Sequence, residues 1–344
     1  MCLINYGQSQ NNKDFPKKNI FLFGEVHFVK EKYSEIKESI TSIIDTTNNS
    51  DTVNLFLELP TSFEFVLYRL KEFNDTTFFN NYYNNMYYKK DPPSKFWLDF
   101  KELLLSFINY CESKKLEWNI RCIDIERNFR NTAYVLNFFD PEIDSLLSQK
   151  YIMDDSLNRN YLIQKTGEFC LSRKFNEKEL FYLKRINKSL NIDCQLCQKR
   201  DSFMYSQFTE FVDSVNNLNF GIFGIKHLLL RKSHSSDKNS FTHSQFKVEE
   251  GEMIPFYGLF SDYLRNRTFK IGILALEHKI FDSGLSITKD YDYLMSDSER
   301  EYILSMLAGS KVIRCTTKSH KTQLNELNEI LDYLIVYKES QYAR

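Results

Sequence analysis

Proline and glycine are scarce in this sequence, whose 344 residues include 6 prolines and 10 glycines. No linker convincingly divides the chain, so we expect one α/β domain at residues 19–344, preceded by a loose lead-in at residues 1–18. The only low-complexity segment is an aromatic tract rich in Asn and Tyr at residues 73–93. We interpret that tract as an insertion or lid, not as part of the core.

The chain also lacks an excess of charge of either sign. It has 45 Lys and Arg against 46 Asp and Glu, which gives a formal net charge of -1. This balance argues against the electrostatic footprint of a protein that binds nucleic acid or an anionic membrane. No apolar run approaches the roughly 18–20 residues that a membrane-spanning helix needs. We therefore predict neither nucleic acid nor a membrane as a partner.

Cysteine is irregularly spaced and shows no disulfide framework. The seven cysteines are Cys2, Cys111, Cys122, Cys170, Cys194, Cys197 and Cys315. An odd number without a regular spacing is typical of reduced thiols in an intracellular protein, and the polar N-terminus lacks the apolar segment of a signal peptide. We predict a cytoplasmic location. Cys194 and Cys197 form a lone CxxC pair. A zinc ribbon needs a second such pair, and the sequence has none.

Short apolar runs predict the strands of a sheet. These runs are Asn19–Phe23, Val53–Leu59, Trp118–Ile125, Leu218–Phe223, Phe269–Leu276, Lys311–Thr316 and Tyr333–Tyr337. The second run is almost wholly apolar, as in a parallel strand covered on both faces, and a helical pattern separates it from the first run. This βαβ pattern predicts an α/β fold with a central, mostly parallel sheet, flanking helices and helical insertions at about residues 60–115 and 129–217.

Two of the predicted strands end in the same way. The first leads into Gly24 and His27, and the fourth leads into Gly224 and His227, with the same spacing between glycine and histidine. If both strands belong to one parallel sheet, both histidines lie at the carboxyl edge, where open α/β sheets bind their ligands. Glycine allows the backbone to turn or to approach another group closely. Either histidine alone would be an ordinary core or surface residue, but the matched pair favours a functional site.

Glu58 supplies the carboxylate that would complete a metal site. It lies inside the apolar run of the second strand, where a charged group is costly unless it is paired or bound to a metal. Two histidines and a carboxylate form a standard ligand set for a hydrolytic divalent metal with an open position for water. We therefore predict that His27, Glu58 and His227 bind a divalent metal ion such as Zn, Mn or Co, although a site without metal stays open.

Other polar residues near these strand ends could support the chemistry. Glu25 shares the strand face of His27, because alternate residues of an extended chain point to the same side. Arg200 could anchor Glu58 or Glu25, or could bind a substrate, and Asp201 follows it on the same predicted helix. Asp124 could hold a histidine in one tautomer or could cap the next helix. We expect Asp124 and Asp201 to orient other residues of the site without binding the metal ion or the substrate themselves.

Four short motifs resemble the Tiki-like superfamily, in the same order along the chain. They are GEVH at residues 24–27, LELP at 57–60, RDSFM at 200–204 and GIKH at 224–227. The superfamily includes the Tiki and TraB proteins, the ChaN-like haem-uptake proteins, the erythromycin-esterase-like enzymes and a domain of the Pasteurella-type toxin. The third strand, which ends at Asp124, and the closing segment at residues 332–336 are similar to the erythromycin-esterase-like branch. The spacing of Glu25 and His27 is closer to the ChaN-like and toxin branches.

The resemblance implies an α/β sheet with helical insertions and a hydrolytic activity. Tiki proteins are metal-dependent peptidases, whereas erythromycin esterases open a macrolactone with a histidine and acidic residues and without an obligatory metal. ChaN-like proteins bind haem. These branches leave three functions open: a metal-assisted hydrolase of a peptide or ester bond, a metal-independent esterase, and a non-catalytic ligand-binding or toxin module.

The metal-assisted hydrolase is the leading hypothesis at this point. His27, His227 and Glu58 would hold the ion, Glu25 would take a proton from the attacking water, and Arg200 would stabilise the oxyanion or clamp the substrate. In the metal-independent alternative, His27 would be the general base and Glu25 or Glu58 would orient it. The aromatic tract, extended to residue 97, would cover the crevice above a peptide or a small ester or amide substrate.

Overall fold

The structure is a computed structural model, and it describes most of the chain. The described residues are 16–25, 29, 31–47, 50–86, 95–127, 129–146, 156–192, 198–212, 216–229, 254–282, 285–288 and 295–342. His27, the Cys194–Cys197 pair and two further histidines, His234 and His243, therefore lie outside the described residues, as does most of the predicted lead-in.

The described residues form eight strands and eleven α-helices. The strands are β1 Ile20–Glu25, β2 Thr52–Pro60, β3 Glu117–Asp124, β4 Leu218–Gly224, β5 Thr268–Asp282, β6 Leu285–Thr288, β7 Val312–Thr316 and β8 Tyr333–Tyr342. The helices are α1 Lys32–Thr46, α2 Thr61–Phe73, α3 Thr76–Met86, α4 Lys95–Ser113, α5 Phe129–Asn137, α6 Ser156–Leu171, α7 Glu177–Leu190, α8 Gln198–Phe211, α9 Asp262–Arg267, α10 Asp297–Met306 and α11 Asn325–Ile330. Helices α2–α4 and α5–α8 lie in the two ranges predicted as helical insertions.

All eight strands belong to one sheet in the order β3-β2-β4-β1-β5-β8-β7, with β6 paired to β5. The neighbours from β3 to β8 run parallel, whereas β7 is antiparallel to β8 and β6 is antiparallel to β5. The predicted α/β class and the mostly parallel sheet are confirmed. The sequence did not predict β6, which forms a hairpin with an extension of β5 beyond the apolar run at residues 269–276.

Both faces of the sheet are covered, as the apolar strands predict. In β1, Phe21 and Phe23 join the larger apolar cluster on one face, whereas Ile20 and Leu22 join a second cluster on the other face. This alternation follows from the two-residue period of a strand. The second cluster packs against α8 and the 3-10 turn Phe256–Leu259. Because the strands are fixed from both sides, their carboxyl ends are held at defined positions relative to one another.

Strand β4 is inserted between β1 and β2, and this arrangement determines the site. The register pairs Glu25 of β1 with Gly224 of β4, and Leu57 of β2 with Ile222 of β4. The two strands that end in similar motifs are therefore parallel neighbours, and the predicted common edge is present. The 3-10 turn Ile225–Leu228 follows β4 at once and carries His227.

The aromatic tract differs from the predicted lid over its described part. Residues 76–86 form α3, which packs against α2 through Phe79 and Tyr82. Both side chains are buried, and Tyr82 is among the largest fully buried residues. The interpretation as a lid was wrong here because apolar rings at helical spacing form a buried face even when Asn separates them. Residues 87–94 lie outside the described part.

No helix within the described ranges is long and apolar enough to cross a membrane.

Candidate functional site

Glu58 lies at the centre of a polar cluster at the carboxyl end of β2. Its Oε2 accepts a hydrogen bond of 2.7 Å from the backbone N–H of Gly224. Its Oε1 accepts from Nη2 of Arg200 and lies 3.2 Å from Nε2 of His227. Burial alone would raise the pKa of Glu58, but the charges of His227 and Arg200 hold it well below the usual value. Glu58 is therefore ionised at neutral pH and is a weak base.

His227 is placed between two carboxylates. Its Nδ1 lies 2.8 Å from Oδ1 of Asp201, and its Nε2 faces Glu58. Burial alone would lower the pKa of His227, but the charge of Glu58 and the hydrogen bonds to Asp201 and Glu58 raise it to about 10. His227 is thus an imidazolium at neutral pH, with Nδ1 held in place by Asp201.

Arg200 connects β2 and β3 from helix α8. Its Nε donates to Oδ1 of Asp124 over 2.7 Å, and its Nη2 donates to Oδ2 of Asp124 over 2.8 Å as well as to Glu58. This bidentate pairing uses the planar fork of the guanidinium, and the side chain is 5% exposed. The geometry matches the predicted anchoring of Glu58. It favours a positioning role over direct contact with a substrate.

Asp124 ends β3 and accepts two guanidinium groups. Besides Arg200 it binds Nη2 of Arg127 at 2.7 Å, and its Oδ1 accepts the N–H of Ile125 over 2.8 Å. Burial alone would raise the pKa of Asp124, but the charges of Arg200 and Arg127 lower it. The aspartate that contacts His227 is Asp201, whereas Asp124 pairs with Arg200 and Arg127. Both aspartates therefore support the cluster, each by a different contact.

Two residues of this region, Lys32 and Arg127, were not identified from the sequence. The buried ammonium of Lys32, at the start of α1, pairs with Glu25. Burial lowers the pKa of Lys32, although the charges of Glu25 and Glu58 act in the opposite direction. Glu25 is therefore paired with a cation next to the cluster.

Glu126 is a buried carboxyl two residues after Asp124, the last residue of β3. Its oxygens accept hydrogen bonds from the N–H of Ser62 over 2.7 Å, the hydroxyl of Ser62 over 2.8 Å and the hydroxyl of Thr132 over 2.6 Å. Ser62 lies in the first turn of α2 and Thr132 lies in α5. Burial raises the pKa of Glu126 to about 7, despite these hydrogen bonds. Glu126 thus connects α2, α5 and the end of β3.

The described structure brings together five of the predicted site residues: Glu58, Asp124, Arg200, Asp201 and His227. Glu25 lies at the neighbouring end of β1. Of the predicted metal ligands, Glu58 and His227 meet, whereas His27 lies outside the described residues. No group of three His, Cys, Asp or Glu side chains in the described ranges is arranged to hold a metal ion.

No protein-family model matches this sequence, and no curated protein matches it either. Three solved structures do match over 95% of this chain. A mutant of the erythromycin esterase EreC in its open conformation is 16% identical, with 92% of that chain covered and a TM-score of 0.54. A Bacillus cereus protein is 14% identical, with 90% covered and a TM-score of 0.56. A succinoglycan biosynthesis protein is 11% identical, with 89% covered and a TM-score of 0.57. The chain therefore has the erythromycin-esterase-like fold, which agrees with the resemblance seen in its motifs.

Proposed function

We propose that this protein hydrolyses an ester bond at the cluster around Glu58 and His227, by a reaction that does not require a metal ion there. The observation that carries the proposal is the placement of His227 between Asp201 and Glu58 at the carboxyl edge of the sheet. A histidine held at one nitrogen by a carboxylate is positioned for proton transfer at the other nitrogen. The similarity of the fold to an erythromycin esterase supports the same class of reaction.

His227 would act as the general acid of this reaction. Its Nδ1 contact with Asp201 is 2.8 Å long, whereas Nε2 lies 3.2 Å from Glu58, so the proton on Nε2 is held less firmly. When the carbon–oxygen bond of the ester breaks, the leaving oxygen would take that proton. Glu58 would keep the ring charged and oriented, because its own low pKa makes it a poor base.

His27 would be the general base that takes a proton from the attacking water, as in the metal-independent alternative. It follows Glu25 in the chain by two residues. Glu25 is paired with Lys32, and this ion pair makes Glu25 less suited to accept a proton. The proposal therefore assigns the general base to His27, after β1, and the general acid to His227, after β4.

Metal-assisted hydrolysis of a peptide or ester bond, with Zn, Mn or Co, stays a prediction. The contacts of the described residues fit it less well than they fit the metal-independent reaction. Both oxygens of Glu58 already accept hydrogen bonds, and both nitrogens of His227 face carboxylates. A metal ion would have to replace the proton on Nε2 of His227 and compete with Arg200 for Glu58. We therefore assign no step to a metal.

A substrate panel with and without a chelator tests the proposal. We expect wild-type protein to hydrolyse p-nitrophenyl acetate and ethyl acetate, to keep that activity after exhaustive treatment with EDTA, and to cleave peptide p-nitroanilides far more slowly. The His27→Ala variant should lose activity on both esters. The His227→Asn variant should lose more activity on ethyl acetate, because ethoxide needs a proton from the acid whereas p-nitrophenolate leaves without one.

The outcomes separate the hypotheses. Loss of activity with EDTA and recovery with Zn, Mn or Co would favour the metal-assisted reaction. Absence of turnover on every ester and anilide would favour a non-catalytic ligand-binding or toxin module. Lys114→Met is a suitable control variant, because Lys114 forms an exposed pair with Asp45 at the end of α1 and far from the strand ends of the site.

A further inference from the structure

Arg127 is the cation of the cluster that is most open to solvent. Its side chain is 36% exposed, compared with 5% for Arg200 and 13% for His227. Its Nη2 lies 2.7 Å from Oδ2 of Asp124 and 4.0 Å from Oε1 of Glu58. A substrate that approaches the carboxyl ends of β2 and β3 would therefore meet this guanidinium before it meets Arg200.

Arg200 is poorly placed to stabilise a substrate itself. Its Nε and Nη2 donate to Asp124 and Glu58, and the side chain is buried between β2, β3 and α8. If this buried guanidinium moved away, Asp124 and Glu58 would each lose a hydrogen-bonded cation. Arg200 is therefore expected to keep these contacts throughout a reaction. Arg127 is a second guanidinium at the same carboxylates, and it is exposed. It can therefore supply the positive charge that stabilises a developing anion.

We infer that Arg127 stabilises the negative charge that develops on the carbonyl oxygen of the substrate ester. This inference rests on the proposed ester hydrolysis. When the water oxygen attacks the carbonyl carbon, the electron pair of the C=O bond moves to the oxygen, next to Arg127. The pair then returns, the bond to the leaving oxygen breaks, and that oxygen takes the proton from Nε2 of His227. A fixed cation next to the first oxygen lowers the barrier of this step.

The balance of charge favours an uncharged ester as the substrate. The cluster has as many carboxylates as cations: Glu58, Asp124 and Asp201 against Arg127, Arg200 and protonated His227. An anionic substrate would find little net attraction in such a cluster. A neutral ester becomes negative only in the transition state, where the exposed guanidinium of Arg127 interacts with it most strongly.

The test is steady-state kinetics of Arg127→Gln on p-nitrophenyl acetate and ethyl acetate. We expect kcat to fall by about 100-fold on both esters, as when one oxyanion donor is removed, with a change in KM of no more than about threefold. The Arg127→Lys variant should recover part of kcat because it restores the charge. Ethyl methylphosphonate, an anion that mimics the tetrahedral intermediate, should inhibit Arg127→Gln less strongly, by about the factor lost in kcat/KM.

Arg265→Gln is a matched control. Arg265 is also 36% exposed and also pairs with an aspartate three residues away, but it lies on α9, which leads into the opposite end of β5. It should keep the wild-type kcat. The inference is overturned if Arg127→Gln retains kcat on both esters, or if only KM rises, which would assign Arg127 to ground-state binding. If wild-type protein hydrolyses neither ester, the proposed function itself fails, and the two failures are thus distinguishable.

Discussion

Nδ1 of His227 lies 2.8 Å from Oδ1 of Asp201, although the two residues come from separate elements of the chain. Asp201 lies in the first turn of α8, and His227 lies in the turn after β4. Since Glu58 faces the other ring nitrogen, both nitrogens can donate a proton only when the ring is charged. Glu58 and Asp201 together therefore favour the protonated form of His227, and the contact with Asp201 also orients the ring.

This arrangement predicts that stability falls with rising pH above the ordinary range of histidine. The pKa of His227 is about 10 in the folded protein, against a reference value of 6.5. Below pH 6.5 both states carry the proton and the full stabilisation is present. Between pH 6.5 and 10 only the folded state keeps the proton. The free energy of unfolding therefore falls by about 1 kcal/mol per pH unit as the pH rises through this range.

Denaturant unfolding of wild type and His227→Asn at several pH values from 6 to 10 measures this effect. The wild-type free energy of unfolding should decline across the range more steeply than that of the variant. Parallel curves for the two proteins would show that His227 does not hold an extra proton in the folded state.

The pair formed by Lys32 and Glu25 makes a second prediction. Lys32 is fully buried and Glu25 is 8% exposed. Replacing Lys32 by Met removes the buried ammonium that pairs with the carboxylate of Glu25, which should cost about 3–5 kcal/mol of stability. The double variant Lys32→Met/Glu25→Gln should recover much of that loss, because it also removes the charge that Lys32 balances.

Urea unfolding of the two single variants and the double variant provides the measurement. Lys114→Met is the control, since the pair of Lys114 and Asp45 is about half exposed and surface pairs contribute little. Equal losses for Lys32→Met and Lys114→Met would contradict the prediction.

Much of the fold could be predicted from the apolar runs, because a parallel strand covered on both faces needs a continuous apolar sequence. Glu58 and His227 could be identified because they interrupt or end such runs. Arg200 could be named as a possible anchor of Glu58, but Asp201 could not be predicted as a partner of His227. Arg127 and Lys32 resemble many exposed cations in the sequence, and no pattern indicates that they pair with Asp124 and Glu25. The contact of His227 with Glu58 depends on the position of β4 beside β2 in the sheet.

The aromatic tract shows a different reason for failure. Its composition was interpreted as that of an insertion or lid, but Phe79, Tyr82 and Tyr83 follow the three- and four-residue spacing of a helix face and are buried in α3. Periodicity was the better guide there, because burial depends on which side chains share a face and not on the average polarity of the segment.

Glu126 gives a third prediction, with a pH dependence in the acidic range. Its pKa is raised from 4.5 to about 7, so the folded state binds more protons than the unfolded state between these values. Wild-type stability should therefore lose a contribution as the pH rises from 4.5 to 7. Gln at this position mimics the neutral carboxyl, so the stability of Glu126→Gln relative to wild type should increase over that range, by at most about 1 kcal/mol per pH unit.

Thermal or chemical unfolding of Glu126→Gln and wild type at pH 5 and 7.5 measures the difference. Thr132→Val removes one hydrogen bond from the carboxylate. In this variant the loss of stability that follows ionisation of Glu126 should occur at higher pH than in wild type, because the charged carboxylate lacks the hydrogen bond from the Thr132 hydroxyl. A difference between Glu126→Gln and wild type that does not change with pH would contradict the assignment.

Gly24 makes the fourth prediction, because the turn that carries His227 packs directly on it. A Cβ atom at Gly24 would lie 2.8 Å from Cδ1 of Leu228 and 3.0 Å from Cγ1 of Ile225, the two buried residues on either side of Lys226 and His227. The Gly24→Ala variant should therefore displace this turn by a few tenths of an ångström and change the distance from His227 to Glu58. Since small misplacements of catalytic groups reduce rates strongly, we expect kcat to fall by roughly tenfold.

Gly272→Ala is the matched control. Gly272 pairs with Gly24 on the neighbouring strand β5, but its Cβ would meet Cδ1 of Leu331 at 2.3 Å and not the turn that carries His227. Both variants should lose about 1–3 kcal/mol of stability through overpacking, but only Gly24→Ala should lose kcat on an ester substrate. Equal kcat values for the two variants would show that the contact between β1 and the turn does not position His227.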